Sequence, residues 1–278
     1  MADLTSSKEP LGGIYLEGQL EAVFGRLEPI VTPELLVQRH LWGINLTSSQ
    51  IDPLTNQPYK LTTAMLQDYI VGAISEAEAE LGLVLMPTQI KEKKHYHRRD
   101  YQSWGYFQLG NKPISSFQSM KITFADGTEA YQFPPEWIEA ANLVWGQVNL
   151  IPATFSGLLA PNYSANVPGN LLYLQFFNSN WVSALIEFVY VAGFPDGLMP
   201  RLINEYVGTI ATIGVLSRLA ATNSKNQSMS ISMDGVSQTV SNPGGQLYVP
   251  RIQDLKEQRE ILRKKIRKIY RRIVVSSV

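Results

Sequence analysis

The stretch from Leu185 to Ala221 constrains this chain more than any other, because it reads as a buried strand, a tight turn and a long helix in direct succession. Ile186, Phe188, Tyr190 and Ala192 fall on one face of an extended segment and Leu185, Val189 and Val191 on the other, with Glu187 as the charged interruption. A near-continuous apolar run of this length belongs to a strand covered on both sides. Gly193 has backbone freedom that other residues lack, Pro195, Asp196 and Gly197 are turn formers, and Pro200 suits a first helical position, so a helix is predicted to start near residue 200. Beyond it Ile203, Tyr206, Val207, Ile210, Ile213, Leu216 and Leu219 recur at three- and four-residue steps. Gly208, Ala211, Gly214 and Ala220 leave parts of that helix flat enough for another backbone to approach, and so predict a close neighbour.

A chain of 278 residues with 17% charged side chains can bury one large domain or two small ones. The absence of cysteine excludes disulfides, thiolate metal sites and cysteine nucleophiles, and leans towards cytosolic synthesis while leaving the redox compartment open. The polar N-terminal run MADLTSSKEPLGG predicts no secretory signal. The longest apolar runs, at 171–177 and 185–194, fall short of the roughly 20 residues that span a bilayer, which predicts a soluble protein without membrane contact. Formal net charge is zero, yet Arg251 to Arg272 holds ten Lys or Arg against three Asp or Glu, a local excess of seven positive charges.

Taken in order, residues 1–13 read as a tail, and Ile14, Leu20, Val23, Phe24 and Leu27 predict an amphipathic helix ending before Pro29. Thr32, Pro33 and Glu34 supply a cap, a first-position proline and a favourable charge for a second helix, with Gly43 as its stop. Ile51 to Tyr59 reads as loop. Thr62 or Thr63 opens a long helix with Leu66, Ile70, Ala73, Ile74, Ala77 and Leu81 on one face, closed by Gly82. Asp126-Gly127 predicts a hairpin whose register sets Ile122 opposite Tyr131, Met120 opposite Phe133 and Lys121 opposite Gln132. A short helical turn at 134–138, strands at 144–151 and 170–177, and a long loop over 152–168 follow.

Composition turns polar at Thr222, and Ser228 to Val240 alternates so as to suggest a second hairpin, turning at Asp234-Gly235, with one face nearly all serine. From Pro250, the residues Ile252, Leu255, Leu262, Ile266, Ile269 and Ile273 form a heptad seam, interrupted by Arg259, which is expected to ion-pair across it. The predicted fold class is α+β: two long packed core helices, a flanking mostly antiparallel sheet and an extended C-terminal helical arm. The predicted divisions are 1–61, tail and short helices; 62–222, core; 223–249, polar linker or hairpin; and 250–278, the arm.

Catalytic spacing is scarce. The chain holds no G-x-S-x-G, no H-E-x-x-H, no phosphate-cradling glycine loop and no dinucleotide fingerprint, so an enzyme is not expected and no cofactor is called for. His95 and His97 share a strand face with Asp100 nearby, but two ligands without a third are weak grounds for a metal site, and a solvated strand explains them. The charged and aromatic run from Lys91 to Tyr106 suits either nucleic-acid phosphates or a lysine-guarded sheet edge.

Taken together, the ordered features TPELL with a following G-I-x-L segment, TTAMLQDYIVGAISEAEAELGL, FPPEWI before V-N-L-I-P, and V-Y-V-A-G-F-P-D-G-L-M-P-R-L-I resemble the head-tail adaptor, or connector, proteins of tailed bacteriophages over roughly residues 30 to 275. The resemblance implies a structural virion protein, made in the host cytoplasm, forming a ring of about twelve subunits beneath the portal. It would extend the DNA channel, lie close to packaged DNA without reading its sequence, and meet a tail-side neck or tail-terminator protein. Within that reading the small residues Gly208, Ala211, Gly214 and Ala220 serve subunit packing. The arm binds the portal through Ile252, Leu255, Leu262, Ile266 and Ile269, with Arg263, Lys264, Arg267, Lys268, Arg271 and Arg272 as its basic face. The alternative is a nucleic-acid-binding protein using that basic helix and the segment 91–99.

Overall fold

The computed structural model describes residues 14–51, 56, 58–95, 107–123, 127–150, 185–195, 197–223, 228–233, 236–241 and 248–270. The expected strand at 170–177, the 152–168 loop, and His97, Asp100, Arg271, Arg272 and Ile273 lie outside these residues. The fold is α+β, with helices and antiparallel strands in two compact units. One unit takes the described residues up to Gly25 and from Leu83 to Leu198; the other takes Arg26–Gly82 and Met199 onward.

The first unit is built on a sheet. Its strands are β1 (Ile14–Tyr15), β5 (Thr88–His95), β7 (Ile114–Thr123), β8 (Glu129–Gln132) and β10 (Leu185–Ala192), in the order β1-β7-β10-β5 with β8 on β7. A short pair, β6 (Phe107–Gln108) with β9 (Gln147–Val148), and helix α1 (Glu17–Phe24) complete it. β10 is an interior strand, and Ile186, Phe188, Tyr190 and Ala192 are at most 1% exposed. Its other face is covered differently from expectation: Val189 and Val191 are half-buried, and Glu187 is roofed by Lys91 at 2.8 Å and Lys93 at 3.5 Å. The β7–β8 register has Lys121 opposite Gln132 and Ile122 opposite Tyr131, and Phe133 N–H donates to the Met120 carbonyl at 2.9 Å. A bulge then shifts Thr123 onto Glu129.

Three local expectations are corrected here. Ile14 belongs to β1, opposite Phe117, and α1 stops before Gly25 at φ +81, so the first amphipathic segment is a strand and a short helix. The proposed strand at 144–151 is a 3₁₀ turn at Leu143–Trp145, a left-handed Gly146 and the two residues of β9, with Leu150 bridged to Ile138. Leu27 lies in β2 (Leu27–Pro29), in the other unit.

The second unit is helical. Helices α2 (Pro33–Arg39), α3 (Thr63–Leu81), α4 (Arg201–Asn223) and α5 (Val249–Tyr270) pack with the pairs β2–β11 (Leu198–Pro200) and β3 (Thr47–Ile51)–β4 (Pro58–Lys60). β4 corrects the reading of 51–59 as loop alone. Each start has a chemical cause: the Thr32 hydroxyl accepts from Leu35 N–H with Pro33 next in line, and the Thr62 hydroxyl accepts from Met65 N–H, both at 3.3 Å. Gly82, at φ +65, ends α3 in the left-handed conformation. α3 and α4 pack together, and Leu66, Ile70, Ala73, Ile74 and Ala77 of the one and Ile203, Tyr206, Val207 and Ile210 of the other are buried. The 228–240 segment forms the expected hairpin pairing, β12 (Ser228–Met233) with β13 (Val236–Ser241).

Candidate assembly site

The turn that follows β10 is closely packed. Gly193, at φ +106, comes so close to the Met86–Pro87 peptide that an added Cβ would lie 2.6 Å from the Met86 carbonyl carbon and 2.9 Å from Pro87 N. Its N–H donates to the Pro113 carbonyl at 2.8 Å, and Phe194 N–H donates to Leu85 at 3.1 Å. Phe194 is fully buried and meets Phe24 edge-on at 5.5 Å. The glycine is thus required twice, for its backbone angle and for the space.

α4 carries the small residues expected at a close contact, and their neighbours lie in the same unit. Gly208 is covered by the His40 imidazole, and Gly214 by the Tyr69 ring, 2.9 Å from where a Cβ would stand. Ala211 is 1% exposed and Ala220 half-buried. Burial holds the His40 pKa below its ordinary 6.5.

The seam that the arm was expected to offer to the portal is covered within this chain. α5 packs against α4 and α3, with Leu255, Leu262 and Ile266 at most 5% exposed and Ile252 and Ile269 half-buried at its margins. The physical reason is the charge interrupting the seam. Arg259 reaches across and donates through one terminal nitrogen to Glu76 and Glu80 of α3. Glu80 also accepts from the buried Tyr206 hydroxyl of α4, so one carboxylate ties three helices. Burial pushes the Glu80 carboxyl up, but the Tyr206 hydrogen bond and Arg259 outweigh it and hold the pKa below 4.5. Burial and the Glu80 hydrogen bond push Tyr206 up to about 12. Of the basic residues, Arg267 donates to the Glu80 backbone carbonyl at 2.7 Å and Arg263 pairs with Glu260 at 2.9 Å, while Lys264 and Lys268 are exposed.

His95 is exposed at the end of β5, and no group of three metal-ligating side chains occurs among the described residues. Lys94 pairs with Glu92 at 3.2 Å, and Glu92 accepts from the Tyr190 hydroxyl at 2.7 Å. No described helix is long and apolar enough to cross a membrane.

No family model matches this chain, and no curated protein matches it in sequence. Solved structures do. A chain from the neck of an empty gene transfer agent (GTA) particle, computed with C6 symmetry, is 13% identical at TM-score 0.36, covering 82% of this chain and 94% of that one. A chain of the native GTA virion is also 13% identical at TM-score 0.36, covering 84% and 93%. One from the native GTA neck computed with C12 symmetry gives 13%, TM-score 0.32, 68% and 81%. At this level the likeness assigns no family.

Sequence reasoning missed the acceptors of Arg259. Their signal was present: Glu76 and Glu80 stand four apart on α3, the spacing that sets two carboxylates on one helix face opposite a lone arginine. It also passed over Trp42, in the turn after α2, which is 82% exposed.

Proposed function

We propose that this chain is a structural protein of a phage-like particle, a head-tail adaptor that assembles with its own copies into a ring of about twelve beneath the portal. In that position it extends the DNA channel, offers the tail-side neck or tail-terminator protein a platform, and has no turnover of its own. The observation that carries this reading is the join V-Y-V-A-G-F-P-D-G-L-M-P-R-L-I, the most distinctive of the ordered motifs behind the resemblance. Here it runs from an interior strand through a glycine that tolerates no side chain into the helix on which α3 and α5 dock.

Since the seam is used internally, portal binding falls to the outer side of α5, where Lys264, Lys265 and Lys268 are exposed. An acidic portal surface, or passing DNA, suits these lysines and makes docking salt-sensitive. The rival nucleic-acid reading of the 91–99 segment is weakened because Lys91 and Lys93 are paired with Glu187. The test is mixing the purified chain with its portal protein, then repeating with Lys264, Lys265 and Lys268 changed to Glu. A stable complex in low salt that the triple variant does not form supports the reading; no complex with the native chain at any salt concentration overturns it.

A further inference from the structure

Trp42 is the most exposed large apolar side chain among the described residues, at 82% where the others lie between 42% and 54%. An ordered turn presents it. Leu41 is buried and its N–H donates to the Leu36 carbonyl at 3.1 Å, Ile44 N–H donates back to Leu41 at 3.0 Å, and Gly43 takes φ +74. The backbone that carries the indole is thus fixed before binding, and tryptophan is enriched among the residues that dominate interfaces.

The same unit carries a receptor of matching chemistry. Between α3 and α4 lies a groove of about 510 Å³, lined by Met65, Tyr69, Gly72, Ile210 and Gly214, with the carboxylates of Asp68 and Glu76 along its exposed side. An indole has an apolar body and a single N–H donor; the groove has an apolar floor and carboxylate acceptors.

We propose that Trp42 of one copy of this chain inserts into the α3–α4 groove of the next. His40, two residues before Trp42, closes on Gly208, whereas the groove uses Gly214, six positions further and roughly 240° around the helix axis. Knob and groove are therefore different patches on different sides of α4. A contact between them joins two unlike patches, the arrangement a head-to-tail ring uses. The inference rests on the self-assembling reading above and names the surfaces that would carry it.

The test is sedimentation velocity of the full chain over a range of concentrations, with Trp42→Ala and Gly72→Leu. Trp42 is too exposed for its loss to unfold the unit, and a Cβ at Gly72 meets nothing within 4 Å, so leucine there fills the groove without strain. Each variant is expected to raise the dissociation constant by roughly tenfold or more. An equimolar mixture is expected to give one-to-one pairs and no larger species, since Trp42→Ala keeps a groove and Gly72→Leu keeps a knob. If the native chain forms rings and either variant does too at the same concentrations, this interface is wrong and the ring reading stands. A native chain that stays monomeric throughout removes both.

Discussion

Removing Arg259 tests how α5 is held. The arginine side chain is 19% exposed, Glu80 27% and Glu76 46%, so the cluster lies between two limits. Breaking a fully buried pair costs about 3–5 kcal/mol and an exposed one about 0–1. In Arg259→Ala, Glu76 turns to water and Glu80 keeps the Tyr206 hydroxyl, so neither carboxylate is orphaned. A loss of about 2 kcal/mol follows, or roughly 3–4 °C in the unfolding midpoint of a chain this size. Circular dichroism at 222 nm reads it. Glu80→Gln is expected to cost less, and the double variant less than the sum, because the two share one contact. Arg259→Ala within about 0.5 kcal/mol of the native protein would refute the reasoning and leave α5 held by its aliphatic seam alone.

Acid titration has a definite sign. Glu80, Glu92 and Glu187 all have folded pKa values below 4.5, because hydrogen bonds and neighbouring cations outweigh the opposing effect of burial. The unfolded state then binds more protons as pH falls, so their stabilisation is complete above about 4.5 and is lost below it. His40, lowered by burial, adds an earlier loss as pH falls below 6.5. At the alkaline end Tyr190 and Tyr206 are raised to about 12 from 10.0, so the unfolded chain loses protons first and stability declines between those values. Fluorescence-monitored unfolding against pH checks all three. Gly193→Ala is expected to leave no folded protein, whereas Gly72→Ala, with open space at its Cβ, is expected to stabilise α3 by about 0.5–1 kcal/mol.

Much of the local structure was legible because its causes are local. Thr32 and Thr62 cap the helices the sequence assigned them, Gly82 ends α3, and alternation placed Ile122 against Tyr131. The bulge that moves Thr123 onto Glu129 was not legible, since it depends on how β7 also follows β10. β4 escaped because Pro58 reads as a breaker, although an edge position tolerates it. The basic helix shows the larger limit. Its heptad seam was plain, but periodicity says only that a face will be buried, not against which chain. The deciding partner was a carboxylate pair more than 170 residues away, on α3.

The central claim is that this chain is a self-assembling part of a head-tail junction. Native mass spectrometry of the purified 31.1 kDa chain, alone and with its portal protein, tests it most directly. The account predicts one closed oligomer of about twelve copies and a single larger species on adding portal. A monomer at every concentration, with no portal-bound species in low salt, would contradict it.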